Sequence, residues 1–88
     1  MSWTIKLSST AEKKFKRLDR KTRARIKGSL RALSNAENPI LHRNVKPLVG
    51  ELKGFYRLRV GDFRVIFALL EDERIIAVVN IASRGSAY

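Results

Sequence analysis

Tyr56-Arg57-Leu58-Arg59-Val60-Gly61-Asp62-Phe63-Arg64-Val65-Ile66-Phe67 places two runs of β-branched, aromatic and basic residues on either side of a Gly-Asp pair. A Gly-X pair in that setting predicts a two-residue hairpin turn, and such a turn fixes the register of both strands. Val60 then faces Phe63, Arg59 faces Arg64, and Leu58 faces Val65. Strand side chains alternate between faces, so Arg57 joins Arg59 and Arg64 on one surface. The other surface carries Tyr56, Leu58, Val60, Phe63, Val65, Phe67 and Leu69, an apolar sheet face suited to packing on helices. Like charges directly across a strand pair destabilise it, so the three guanidiniums predict an anionic ligand rather than a structural role.

The residues before the hairpin supply the helices. Trp3, Ile5 and Leu7 alternate with Thr4 and Lys6, the pattern of a short strand with one buried face. Ser9 followed by Glu12 has the form of a capping box that opens a helix. Ala11, Phe15 and Leu18 recur at helical spacing within it. Asp19 or Thr22 is placed to cap a second helix, whose apolar stripe is Ile26, Leu30 and Leu33. From Ser34 to Gly54 the periodicity breaks around Asn35, Asn38, Pro39, Asn44, Pro47 and Gly50, which reads as a long connection. After the hairpin, Glu71-Asp72-Glu73-Arg74 forms a polar turn, and Ile75 to Ile81 is apolar on both faces, as expected of a central strand. The order describes one α+β domain over 1–88: two N-terminal helices on one face of a small, mainly antiparallel sheet, β-α-α-β-β-β.

Composition narrows the partner. Nineteen Lys and Arg against 8 Asp and Glu give a formal charge of +11, and the pI is near 11.0. A balance of this kind points to a polyanion, with nucleic acid ahead of an acidic protein or an anionic membrane, since the apolar stripes are needed for the core. Ten of the 19 basic residues fall between Lys13 and Arg31, along the two helices. The absence of cysteine excludes a disulfide framework and thiolate metal or redox chemistry. No apolar stretch is long enough to span a bilayer and no secretory signal opens the chain, so a cytoplasmic protein is expected. His42 is the only histidine, which excludes a nuclease built on paired histidines, and a lone loop histidine is assigned no role.

This order of elements, with Tyr-Arg-x-Arg-x-Gly-Asp-Phe-Arg-Val-Ile-Phe in the hairpin and Arg-Gly-x-Ala-Tyr at residues 84–88, resembles the RelE/ParE superfamily of toxin–antitoxin toxins. Within it the hairpin and Arg84 with Tyr88 are most similar to the RelE branch. The resemblance implies a ribosome-dependent mRNA endonuclease that cuts in the A site, without metal or other cofactor, by attack of a ribose 2′-OH on the adjacent phosphate. It also implies a cognate antitoxin that covers the basic surface in a hetero-oligomeric complex.

By position, the resemblance implies that Arg57 and Arg59 hold the RNA backbone and help orient the nucleophile. Arg64 is implied to stabilise the transition state, and Arg84 to lie near the leaving oxygen. Tyr88 is implied to stack on the substrate base or assist proton transfer. Two departures from the family pattern involve three positions. Arg57 and Arg59 stand where some members carry Lys, and arginine is a poor base; Ser83 precedes Arg84 where other relatives carry His or Lys. The alternatives are a ParE-like inhibitor of DNA gyrase, which shares the fold and cuts nothing, and a catalytically silent RNA-binding module. A cluster of unpaired like charges fits poorly at the centre of a protein interface, which weighs against the first.

Overall fold

The computed structural model describes residues 2–83. Its elements are β1 (Thr4–Leu7), α1 (Ser9–Arg17), α2 (Arg20–Asn35), β2 (Val45–Pro47), β3 (Tyr56–Val60), β4 (Phe63–Leu70) and β5 (Ile75–Ser83). The strands form one sheet in the order β1-β5-β4-β3-β2. Only β1 and β5 run parallel, from Thr4 opposite Ile75 to Leu7 opposite Val78. Ala11 of α1 and Ile26, Leu30 and Leu33 of α2 share one buried cluster with Leu58, Val60, Val65, Phe67, Ile76, Val78 and Ile81 of the sheet. The expected α+β architecture, with helices on one sheet face, is therefore the observed one.

The start of α1 differs from the expected capping box by one residue. Ser8 is the cap: its backbone is extended and its hydroxyl oxygen accepts the Ala11 N–H at 3.1 Å. Tertiary contacts choose it over Ser9. The Ser8 N–H donates to the Val78 carbonyl at 2.8 Å and its hydroxyl donates to the Val79 carbonyl at 3.0 Å, which ends β1 and starts the helix against β5. Glu12, one position too far along to close the box, pairs with Lys16 at 3.1 Å on the exposed face. At α2, Asp19 is the cap, and its carboxylate accepts the Thr22 N–H at 3.4 Å. Hydrogen bonding from Thr22, side chain first and then backbone, holds this carboxyl below the ordinary aspartate value.

Gly28 sits within α2 with nothing within 4 Å of where a Cβ would project. A Gly28→Ala variant is therefore expected to raise stability by about 0.5–1 kcal/mol, because alanine loses less backbone entropy on entering a helix. Chemical denaturation of the two proteins measures this; a destabilised variant would show that the helix is closed to a methyl group there.

The connection over 34–54 contains more order than its composition predicts. Two 3₁₀ turns, Pro39–Leu41 and Gly50–Leu52, flank β2, a three-residue edge strand that pairs with β3 from Val45 opposite Leu58 to Pro47 opposite Tyr56. A strand this short shows no periodicity, and Pro47 marks a position where an edge tolerates a missing N–H. The central strand β5 extends to Ser83, and a bulge breaks its register with β4: Ile66 lies opposite Asn80, but Phe67 lies opposite Val78. Val79 is the extra residue. It allows Ile76 and Val78 before it and Ile81 after it all to reach the helix-covered core, which is why the strand reads as apolar on both faces.

Candidate functional site

The hairpin has the register its turn predicts. Val60 pairs with Phe63, Arg59 with Arg64, Leu58 with Val65 and Tyr56 with Phe67. Gly61 takes φ 58 and Asp62 a negative φ, the sign pattern of a Gly-first turn. Leu58, Val60, Val65 and Phe67 are buried against the helices. The alternate residues Arg57, Arg59 and Arg64 consequently occupy the opposite face, where Arg57 and Arg64 are half-buried and Arg59 is exposed.

Arg59 joins the three. It lines one concavity with Arg64, Gly61, Asp62 and Phe63 at the hairpin tip, and a second with Arg57, Arg43, Asn44 and Lys46 beside β2. Arg64 lies across from Arg59, and Arg57 lies two residues from it along the same strand, so Arg59 is common to both concavities. Among the described residues no carboxylate lies within ion-pairing distance of these guanidiniums, the ion pair there being Glu12 with Lys16. Charged groups gathered this way leave several planar N–H edges for an anion, the geometry that suits bidentate contact with phosphate oxygens.

The far end of β5 runs beside this site. Ala82 lies opposite Arg64 and Ser83 opposite Phe63, and the bulge at Val79 puts Asn80 and Ala82 in step with the arginine face. Asn80 is fixed there by Lys14 of α1, whose Nζ donates to its Oδ1 at 2.8 Å. Arg84 and Tyr88, the other two residues with implied roles, lie outside the described residues.

The structure adds basic residues that periodicity did not single out. Arg43 and Lys46 come from the long connection over 34–54, as does the neutral Asn44, whose carbonyl accepts the Arg59 N–H at 3.0 Å. His42 Nδ1 accepts the Asn44 N–H at 3.1 Å. Arg25, exposed on α2, reaches the hairpin turn. The signal that finds these residues is tertiary: pairing of β2 with β3 brings 43–46 to the sheet edge.

Comparison with known proteins places this geometry. A family model described as "ParE toxin of type II toxin–antitoxin system, parDE" matches residues 5–88. The chain is 32% identical over 85 residues to Toxin RelE of Mycobacterium tuberculosis, covering 96% of this chain and 84% of the relative. It is 30% identical over 88 residues to Putative toxin RelE1 of Methanocaldococcus jannaschii, covering 100% and 97%. In structure it is similar to the archaeal RelE–RelB complex of Pyrococcus horikoshii, with a TM-score of 0.80 at 25% identity over 99% of this chain and 100% of the other. A helix pair on a five-stranded sheet, the matched span of 5–88 and these relatives together establish that the chain belongs to the RelE/ParE superfamily of type II toxin–antitoxin toxins.

Proposed function

We propose that this toxin is a metal-independent endoribonuclease that cleaves mRNA in the ribosomal A site and so stops translation. The observation that carries the reading is the pairing of Arg59 with Arg64, with Arg57 on the same face and no acidic partner among the described residues. In the reaction, the 2′-OH oxygen forms a bond to the adjacent phosphorus while the bond from phosphorus to the 5′-oxygen breaks. The products are a 2′,3′-cyclic phosphate and a free 5′-OH.

The pentacovalent intermediate carries more negative charge on its equatorial oxygens than the diester does. Fixed guanidiniums therefore stabilise it more than they stabilise the ground state. Arg64 takes that role, and Arg57 and Arg59 grip the flanking backbone and orient the 2′-OH. Arg84 follows Ser83, the end of the strand beside Arg64, and assists the departing 5′-oxygen; Tyr88 stacks on the base or moves a proton. Arginine stays protonated at neutral pH, so charge stabilisation and in-line positioning, with the ribosome orienting the RNA, supply most of the rate.

A cognate antitoxin is the second partner. Its support is the net charge of +11 and a groove of about 340 Å³ between the edge strand β1 and the helices, with Ile5, Leu7, Phe15 and Leu30 as its floor and Lys27 and Arg31 at its rim. An amphipathic acidic segment fits both features.

The test is incubation of the purified toxin with programmed ribosomes and analysis of the RNA ends. Cleaved mRNA ending in a 2′,3′-cyclic phosphate is the expected result. Intact mRNA accompanied by gyrase-linked DNA damage in cells would replace this reading with the ParE-like one, and salt-sensitive RNA binding without a cyclic phosphate would reduce it to a silent binding module.

A further inference from the structure

A further concavity on the arginine side, about 470 Å³ in volume, opens between α2 and the hairpin turn. Arg25 and Ser29 of α2 line one wall, and His42, Arg43, Asn44 and Arg59 line the other. None of the residues around it is acidic. It is continuous with the arginine face through Arg59, which also lines the concavities at the hairpin tip and beside β2, and through Arg43, which lines the latter.

The placement of Arg25 is specific. A Cβ built on Gly61 would lie 3.0 Å from its Nη1, 3.1 Å from its Nη2 and 3.2 Å from its Cζ. Near-equal distances to three atoms of a planar group mean that the guanidinium presents its face to Gly61. The glycine thus serves two needs at one position: a positive φ for the turn, and room for an arginine to lie on the backbone. With its face towards the glycine, the guanidinium keeps its N–H donors, which lie in its plane, directed outward at the edges. Among the described residues no carboxylate pairs with it. Three exposed arginines, 25, 43 and 59, thus line one cleft that no acidic residue lines, an arrangement that favours a bound anion.

We infer that Arg25, with Arg43 and Arg59, forms a second phosphate site that grips an RNA linkage flanking the one that is cut. This rests on the reading of the arginine face as the RNA-cleaving site, and it extends that site from a point into a track: Arg64, Arg59, then Arg43 and Arg25. A positively charged groove that follows the backbone is the general device for holding single-stranded nucleic acid without reading its sequence. Ser29 and Asn44 supply neutral donors along the same cleft.

The experiment uses the full-length toxin and single-stranded RNA in which one linkage at a time is a neutral methylphosphonate. Cleavage on programmed ribosomes is followed in parallel. For the parent protein, neutralising one particular flanking linkage is expected to weaken binding about five- to ten-fold, the loss of one charged contact to phosphate. Arg25→Gln, which keeps a planar group over Gly61 but no charge, is expected to bind unmodified RNA weaker by the same factor and to be indifferent to that linkage. Its slope of log affinity against log salt should be shallower by about 0.7, one phosphate contact fewer on a single strand.

A merely structural Arg25 would shift thermal stability and leave the linkage scan unchanged, and that result overturns the inference. Arg25→Gln protein that binds RNA like the parent but loses affinity for an acidic peptide overturns it as well, assigning the cleft to a protein partner. A parent that cleaves mRNA while Arg25→Gln is unaltered removes the second site alone; a parent that neither cleaves nor binds RNA removes the nuclease reading with it.

Discussion

Arg64→Ala is expected to slow mRNA cleavage on programmed ribosomes by about 100- to 1,000-fold, the loss typical of removing one preorganised charge stabiliser from a transition state. The magnitude follows from its setting. Arg64 is half-buried on β4, between Phe63 and the fully buried Val65, and β3 and β5 hold its strand on both sides. Its backbone is thereby held before substrate arrives, which limits the reorganisation that accompanies the reaction. The variant should fold at least as well as the parent, since it removes a like-charge pairing with Arg59. Arg64→Lys should recover part of the rate: the charge returns but the planar fork does not. Single-turnover cleavage and a thermal melt of each protein check both halves. An Arg64→Ala toxin that cleaves at nearly the parent rate would move the transition-state role elsewhere, and one that fails to fold would make Arg64 a structural residue.

Phe67→Ala is the change expected to cost most stability, about 3–5 kcal/mol, the range for deleting a phenylalanine from a packed interior. Phe67 has no exposed surface, stacks on Tyr56 across the hairpin with ring centroids 5.7 Å apart, and meets Val78 on its other side. It stands at the bulge, where β4 and β5 change register, so the backbone around it has little freedom to close a cavity. Domains of this size hold only roughly 5–10 kcal/mol in total, so most of the margin disappears. Phe67→Leu, which keeps most of the volume, should cost about 1–1.5 kcal/mol. Urea unfolding of the three proteins gives the comparison; a loss below about 1 kcal/mol for the alanine variant would mean that the helix layer collapses onto the vacated space.

The parts of the fold that local chemistry determines were legible before any coordinates. The Gly61-Asp62 turn dictates register, so the pairing of Arg59 with Arg64 and the burial of Leu58 and Val65 follow from spacing alone. The stripes Ile26, Leu30, Leu33 and Trp3, Ile5, Leu7 likewise reveal their buried sides. What distance in sequence decides was hidden. Ser8 rather than Ser9 caps α1 because carbonyls of residues 78 and 79 hold it, some seventy positions away. The bulge at Val79 exists only in relation to β4, so the parity of the last strand has no local signature. Three residues of β2, one a proline, carry too little pattern to announce a strand, and with β2 unseen the approach of Arg43 and Lys46 to the hairpin was unseen too. Arg25 reads as one more solvated helix charge until the turn at Gly61 comes up against it.

β5 is the last of the five strands along the chain and lies between β1 and β4 in the sheet, and β1 hydrogen-bonds to no other strand. β1 therefore has no strand to pair with until β5 is in place. Until residues 75–78 are in place, Ile5 and Leu7 have only helix residues such as Phe15 and Leu30 beside them, and the helix layer lacks part of its floor. Closing the sheet through the parallel β1–β5 pairing is thus a non-local step, slower than forming the hairpin of β3 and β4, and it sets when the helix layer gains its full floor.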